Sequence, residues 1–137
     1  MKWGNLFVHR NKLYLLGTQV PRGDILIRRY NPAKNSWSKI GKTLGRLRDT
    51  DKDEFPNDNG YHTAPVSIVV HNGRIWRAYE RFEAGKWGGF NAMAMSAPID
   101  ADLLQPESWT FTNEIQRDPT WHDGQFFSWL EGNAVVA

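Results

Sequence analysis

The sequence predicts an all-β protein made of repeated antiparallel sheets, and three observations carry that expectation. The first is the stretch YHTAPVSIVVHNGRIWRAYE at residues 61–80, where two largely apolar runs, 65–71 and 74–80, flank Asn72-Gly73. Asn-Gly is the strongest two-residue hairpin signal, because a type I′ turn needs positive φ at both central residues. The second is a repeat. Val8-His9-Arg10-Asn11-Lys12-Leu13-Tyr14 aligns without a gap on Val70-His71-Asn72-Gly73-Arg74-Ile75-Trp76, and Ser36-Trp37 recurs as Ser108-Trp109. The third is composition: 13% of the 137 residues are aromatic, seven of them Trp, with 12 Gly and 7 Pro between them. Many aromatics punctuated by turn formers favour strands over helices.

In chain order, the first strand is expected around Leu6 to Val8, with a turn at Arg10-Asn11 and a second strand from Lys12 to Leu16, ending at Gly17. A third strand covers 25–30 and a short fourth lies at 36–38. Residues 41–60 are polar, with the run Asp49-Thr50-Asp51-Lys52-Asp53-Glu54 at their centre, and read as one long surface loop. A solvated loop is the favoured role for that run over a hidden general acid.

The Asn72-Gly73 turn then places His71 opposite Arg74, Val70 opposite Ile75 and, at the open end, Pro65 opposite Glu80. One face of the hairpin carries Val66, Ile68 and Val70 against Tyr79, Arg77 and Ile75. The other carries Ser67, Val69 and His71 against Ala78, Trp76 and Arg74. An antiparallel hairpin with one wet side would show one polar face. Two apolar faces imply a stack of sheets. A Gly-rich loop (Gly85, Gly88, Gly89) leads to a third strand at 91–96 and a short fourth at 109–112. A second long loop, 113–130, precedes Glu131-Gly132-Asn133-Ala134-Val135-Val136-Ala137, which reads as another strand beginning.

Each unit is thus a hairpin, a third strand and a short fourth strand marked by Ser-Trp. Four-stranded antiparallel sheets repeating along a chain are the pattern of a β-propeller. The expected organisation is an incomplete propeller domain over 1–137: blade one at about 4–40, blade two at about 61–112, and the start of the next at 131–137. Closure takes at least about four blades. The sequence therefore reads as a fragment, with the missing blades of the same propeller as its first partner. An aperiodic sandwich is the competing topology.

Charge and composition exclude several function classes. A net charge of +2, with 17 basic residues interspersed among 15 acidic ones, makes no nucleic-acid surface. Without Cys there is no disulfide framework, no thiolate nucleophile and no Cys-based zinc site. No apolar run approaches the ~18–20 residues of a membrane helix, so no membrane partner is expected. The N-terminus MKWGNLFVHRNK has no secretory h-region, which leaves localisation open. No nucleotide-binding Gly loop, Ser elbow or metal motif appears, and no cofactor is expected.

Three segments go beyond sheet architecture: His62-Thr63-Ala64-Pro65 with Arg77 and Glu80 on the following strand; Met95-Ser96-Ala97-Pro98-Ile99-Asp100-Ala101-Asp102-Leu103-Leu104 with Glu107-Ser108-Trp109-Thr110; and Trp129-Leu130-Glu131-Gly132-Asn133-Ala134-Val135-Val136. Together they resemble the sialidase-like (neuraminidase superfamily, BNR-repeat) propellers, in particular bacterial exo-α-sialidase or glycosyl-hydrolase-like members, from about residue 61 onward. The resemblance implies a glycan or sialoside partner, and a periplasmic or secreted parent. It also implies a catalytic carboxylate at Glu131, ahead of Ala134-Val135-Val136, supporting a Tyr nucleophile and steadying positive charge on the sugar, where the residues alone fit a loop carboxylate bonding backbone amides equally well. The matching Tyr and Arg cluster would lie outside this sequence, so the isolated chain is expected to be silent.

The first blade departs from that family. Its Asp box, S-x-D-x-G-x-T-W, is replaced by Tyr30-Asn31-Pro32-Ala33-Lys34-Asn35-Ser36-Trp37, which resembles the closing strand of a Kelch blade, as Tyr14-Leu15-Leu16-Gly17-Thr18 resembles a weakened Kelch Gly-Gly. A Kelch-like, non-catalytic protein-interaction module is the alternative function. Candidate substrate-binding residues are His62, Arg77, Glu80 and Trp121, and His62, Arg77, Glu80 and Glu131 are expected to line one concave surface. Arg77, placed among apolar neighbours, offers a planar fork for an anion or sugar hydroxyls, or else an inter-blade salt bridge, with Glu80 as one partner. His62 binds hydroxyls or caps its loop, and without a second His at ligand spacing it is a weak metal candidate. Trp121, beside His122 and Asp123, is the favoured aromatic platform for a pyranose; Trp87, Phe126, Phe127 and Trp129 serve equally as packing. Asp100 and Asp102 are expected in an Asx-type turn.

Overall fold

The computed structural model describes residues 1–19, 23–39, 41–44, 60–64, 66–82, 90–116, 118 and 120. These residues form antiparallel strands and two short 3-10 turns, with no α-helix among them. The first sheet is a meander of β1 (Lys2–His9), β2 (Lys12–Thr18) and β3 (Ile25–Asn31). Its last position is shared by β4 (Ser36–Trp37) and β5 (Gly41–Leu44), which both pair with β3. The second sheet mirrors that plan. β6 (Gly60–His62) and β7 (Val69–His71) share the edge beside β8 (Arg74–Phe82), followed by β9 (Phe90–Pro98) and β10 (Thr110–Phe111). The expectation of stacked antiparallel sheets is met. The described residues form no closed sheet.

The gap-free repeat is a repeat of turn chemistry. Arg10 and Asn11 take φ of 47° and 58°, and Asn72 and Gly73 take 48° and 71°. Each hairpin therefore turns through two left-handed residues, as a type I′ connection demands. The flanking pairs correspond as well, His9 with Lys12 and His71 with Arg74. The Ser-Trp repeat holds less well. Ser36-Trp37 follows the Pro-opened 3-10 turn Pro32–Lys34, whereas Ser108 is itself the last residue of the corresponding turn Pro106–Ser108. Trp37 lies half-buried beside Tyr30, whereas Trp109 is in the core and donates its Nε1–H to the Leu103 carbonyl.

Three expectations need correction. The hairpin register holds only at its tip, for Val69–Trp76, Val70–Ile75 and His71–Arg74. Further along, Glu80 pairs with His62 and not with residue 65, and residues 63–64 and 66–68 lie outside the ladder. Side chains replace the lost ladder there: the Thr63 hydroxyl donates to the Ala78 carbonyl, and Arg77 reaches Thr63 Oγ1 and the Ala64 carbonyl, each at 3.4 Å. Second, residues 41–44 are a strand, not loop; the Thr43 hydroxyl donates to the Ile25 carbonyl and Gly41 sits where a Cβ would lie 2.9 Å from the Leu104 oxygen. Third, the apolar hairpin tip is not covered on both faces, since Val70 is 58% exposed. The Asx expectation holds at Asp102, whose Oδ1 accepts from the Leu104 N–H.

One apolar core lies between the sheets. Strand alternation directs Tyr14, Leu16, Ile25 and Ile27 from the first sheet against Ile75, Tyr79, Met93, Met95 and Ala97 from the second, closed by Leu103 and Trp109. Phe7 stacks on Tyr14 with centroids 5.3 Å apart. Each fully buried large side chain in such a layer contributes about 1.5–3 kcal/mol. Polar bonds join the sheets beside this core. His9 Nε2–H donates to the Ile99 carbonyl at 2.7 Å and Arg10 to the Asp100 carbonyl at 3.1 Å.

Candidate functional site

The two ends of the sheets differ chemically. The hairpin end carries the turns Arg10-Asn11 and Asn72-Gly73. The opposite end, where β2 finishes, β3 starts, β8 finishes and β9 starts, gathers buried polar side chains: Thr18, Asp24, His62, Glu80 and Asn91. Burying polar groups is costly unless they are bonded. An end built this way needs a structural or a chemical reason.

His62 and Glu80 face each other across the β6–β8 ladder. His62 Nδ1–H donates to Glu80 Oε2 at 3.1 Å, with both side chains almost fully buried. The His62 ring sits 5.3 Å from that of Phe90, which in turn packs on Phe82 at 5.3 Å. The break in register brings this pair together. With these side chains enclosed, the pair's direct effect is to hold β6 against β8.

One residue along each strand, on the other face, a more open group assembles. Tyr61 pairs with Arg81 and Arg81 with Asn91. Arg81 Nε–H donates to Glu114 Oε2 at 2.6 Å. Glu114 arrives because the chain after β10 doubles back, Ile115 and Ala92 exchanging backbone hydrogen bonds of 2.9 and 2.8 Å. The first sheet contributes through Gly23, whose carbonyl accepts from the Tyr61 N–H, and through buried Asp24 beside it. Burial, then the Glu114 carboxylate, push the Tyr61 phenol above its ordinary range, with Asp24 adding to the shift and Arg81 opposing it. Tyr61 is therefore a protonated hydrogen-bond donor at neutral pH, not a phenolate nucleophile. Asn91 is 6% exposed, and among the described residues its amide nitrogen has no hydrogen-bond partner. An unspent buried donor beside a phenol, a guanidinium and two carboxylates suits a hydroxyl-rich ligand.

Arg77 is elsewhere. Alternation along β8 puts it on the face opposite Glu80, and it is fully buried between the sheets. Its guanidinium donates to the Leu16 carbonyl and, at 2.7 Å, to Asn5 Oδ1, and lies 5.0 Å over the Tyr79 ring. The expected shared surface for His62, Arg77 and Glu80 is therefore not formed: Arg77 links the sheets. Trp121 and Glu131 lie outside the described residues. Among the described residues no group of three His, Asp or Glu is placed to hold a metal ion. Sequence reasoning missed Asp24, Tyr61, Arg81, Asn91 and Glu114. Tyr61 and Arg81 adjoin residues it named, but only the corrected register and the return of the chain at Ile115 unite them.

No protein-family model matches the chain, and no curated protein matches it. Among solved structures it is similar to the crystal structure of an alpha-L-arabinofuranosidase from Lactobacillus brevis, with a TM-score of 0.53 and 19% identity over 82% of this chain and 34% of that one. At that identity the likeness is one of fold. The chain spans about a third of the length of that enzyme.

Proposed function

We propose that this chain forms part of a glycan-handling β-protein, a glycoside hydrolase or glycan-binding propeller, whose ligand end is the one carrying Asp24, Tyr61, Arg81, Asn91 and Glu114. The observation that carries the reading is the polar group itself: a protonated phenol, an Arg–carboxylate pair and an unspent buried amide on a rigid two-sheet frame. The fold likeness to an arabinofuranosidase supports it. Sugar hydroxyls accept from Tyr61, Arg81 and Asn91 and donate to the carboxylates. His62 and Glu80 hold β6 in place behind them. The sialidase-like resemblance is the finer form of the proposal, with Glu131 as the catalytic carboxylate and Trp121 as a sugar platform.

The test is a nuclear magnetic resonance titration of the 137-residue chain with arabinofuranosides, sialosides and neutral pyranosides, alongside turnover of the matching chromogenic glycosides. Binding is expected to move the amide signals of Tyr61, Arg81, Asn91 and Glu114, and Asn91→Ala or Tyr61→Phe to weaken it. Saccharides that leave all four signals unmoved overturn the reading.

A further inference from the structure

At the hairpin end, a groove of about 550 Å³ opens on the first sheet, lined by Lys12, Arg29, Lys34, Tyr30 and Trp37 with side-chain amides and hydroxyls between them. Its wall contains three cations and no carboxylate. Lys12 and Lys34 are exposed and Arg29 half-buried, and among the described residues none of the three has a carboxylate within salt-bridge distance. Cations left uncompensated around one concavity raise the local potential and attract anions.

The groove is also pre-built. Asn31 Oδ1 accepts from the Lys34 N–H and caps the 3-10 turn, Asn35 closes that turn in the left-handed region, and the Tyr30 hydroxyl donates to Asn35 Oδ1 at 2.6 Å. Ser38 Oγ accepts from the Arg29 N–H at 2.9 Å, fixing the backbone under that guanidinium. Tyr30 and Trp37, with ring centroids 5.4 Å apart, supply the apolar part of the wall.

We infer that this groove binds an anionic saccharide, a chain bearing carboxylate or sulfate groups, with Lys12, Arg29 and Lys34 on the acidic groups and the Tyr30–Trp37 pair against the sugar rings. The inference rests on the glycan reading above for its ligand class. Arg29 presents a planar fork to a carboxylate or sulfate, while the lysines act as point charges. Side-chain amides and hydroxyls complete a lining suited to sugar hydroxyls. An acidic peptide fits less well. It would dock by extending a sheet edge, and β4 offers only the two residues Ser36–Trp37.

The experiment titrates the 137-residue chain, by calorimetry and by nuclear magnetic resonance, with oligogalacturonate, a sulfated oligosaccharide, a neutral oligoxyloside of equal length and oligoglutamate. Both anionic saccharides, or one of them, should shift the signals of Lys12, Arg29 and Lys34 and bind more weakly as salt rises. The variant K12Q/R29Q/K34Q should lose about tenfold or more in affinity, a modest loss for three rim charges. Thermal melting checks that it remains folded, and Trp37→Ala alone, which leaves the charges in place, should also weaken saccharide binding. No anionic saccharide binding, equal binding of the neutral oligomer, tighter binding of oligoglutamate, or binding unchanged in the triple variant each overturns the inference. The two proposals fail separately. A saccharide that moves Tyr61 and Asn91 but none of the groove signals leaves the glycan reading standing and removes only this site.

Discussion

Removing Arg77 should loosen the two sheets from each other, because its guanidinium is a fully buried polar link between them. It is fully buried and donates to the Leu16 carbonyl and to Asn5 Oδ1, with longer bonds to Thr63 Oγ1 and the Ala64 carbonyl. Burial pulls its pKa below the usual arginine value, Tyr79 partly offsetting the shift, so the charge is held at a desolvation cost. Arg77→Ala takes a charged donor from the Leu16 carbonyl and from the half-buried Asn5 Oδ1, at about 1–3 kcal/mol each, and opens a cavity. The sum is about 3–5 kcal/mol once the recovered desolvation is deducted. Against a typical domain stability of about 5–15 kcal/mol, that is a large fraction. Arg77→Met leaves the same acceptors without their donor but keeps most of the volume, so it should spare only the cavity part of that loss. Urea unfolding of both variants, with Asn5→Ala and the double variant, measures these terms and the Arg77–Asn5 coupling. A loss below about 1 kcal/mol for Arg77→Ala, or zero coupling to Asn5, would refute the account.

Further tests follow from single contacts. Trp109→Ala should cost about 3–5 kcal/mol, because the indole is 5% exposed and bonded to the Leu103 carbonyl. Trp37→Ala, at the repeat-related but half-buried position, should cost less than half as much by the same unfolding assay. Gly73→Ala meets no neighbour but must hold φ near +71°, so a loss of about 1–2 kcal/mol is expected from backbone strain alone. Tyr79 is fully buried and burial raises its pKa from 10.0 to about 12. A phenol whose folded pKa exceeds its unfolded value contributes stability that is complete below pH 10 and lost as pH rises to about 12. The loss is about 3 kcal/mol at 1.36 kcal/mol per unit. Tyr79→Phe should flatten that part of the stability–pH curve, and a parallel curve would count against it. Leu6 and Val8 are 62% and 71% exposed on one face of β1, so Leu6→Lys with Val8→Lys should leave melting unchanged and reduce concentration-dependent light scattering.

Local chemistry was legible in the sequence because each signal acts within a few residues. Asn72-Gly73 dictates its turn whatever surrounds it, and the gap-free repeat placed the same left-handed pair at Arg10-Asn11. Alternation along 74–79 and 91–96 marked the strands that supply Ile75, Tyr79, Met93 and Met95 to the core. Where the chain leaves a ladder is a tertiary matter. The register expected from the turn failed beyond Val69, where the Thr63 hydroxyl bonds the Ala78 carbonyl of β8 and Arg77 bonds Thr63 and Ala64 in place of a strand ladder, an outcome no residue count reveals. The same holds for sites. His62 and Glu80 stood out as polar residues at the end of an apolar hairpin, but their pairing follows from the slipped register. Arg77 carried the chemistry expected of a ligand clamp, and only the packing of the first sheet over it turned that fork onto Leu16 and Asn5. Tyr61, Arg81, Asn91, Glu114 and Asp24 come from five separate stretches of sequence. What unites them is two sheets stacked in register and a chain that returns at Ile115, contacts whose energy exists only once the core between the sheets has formed.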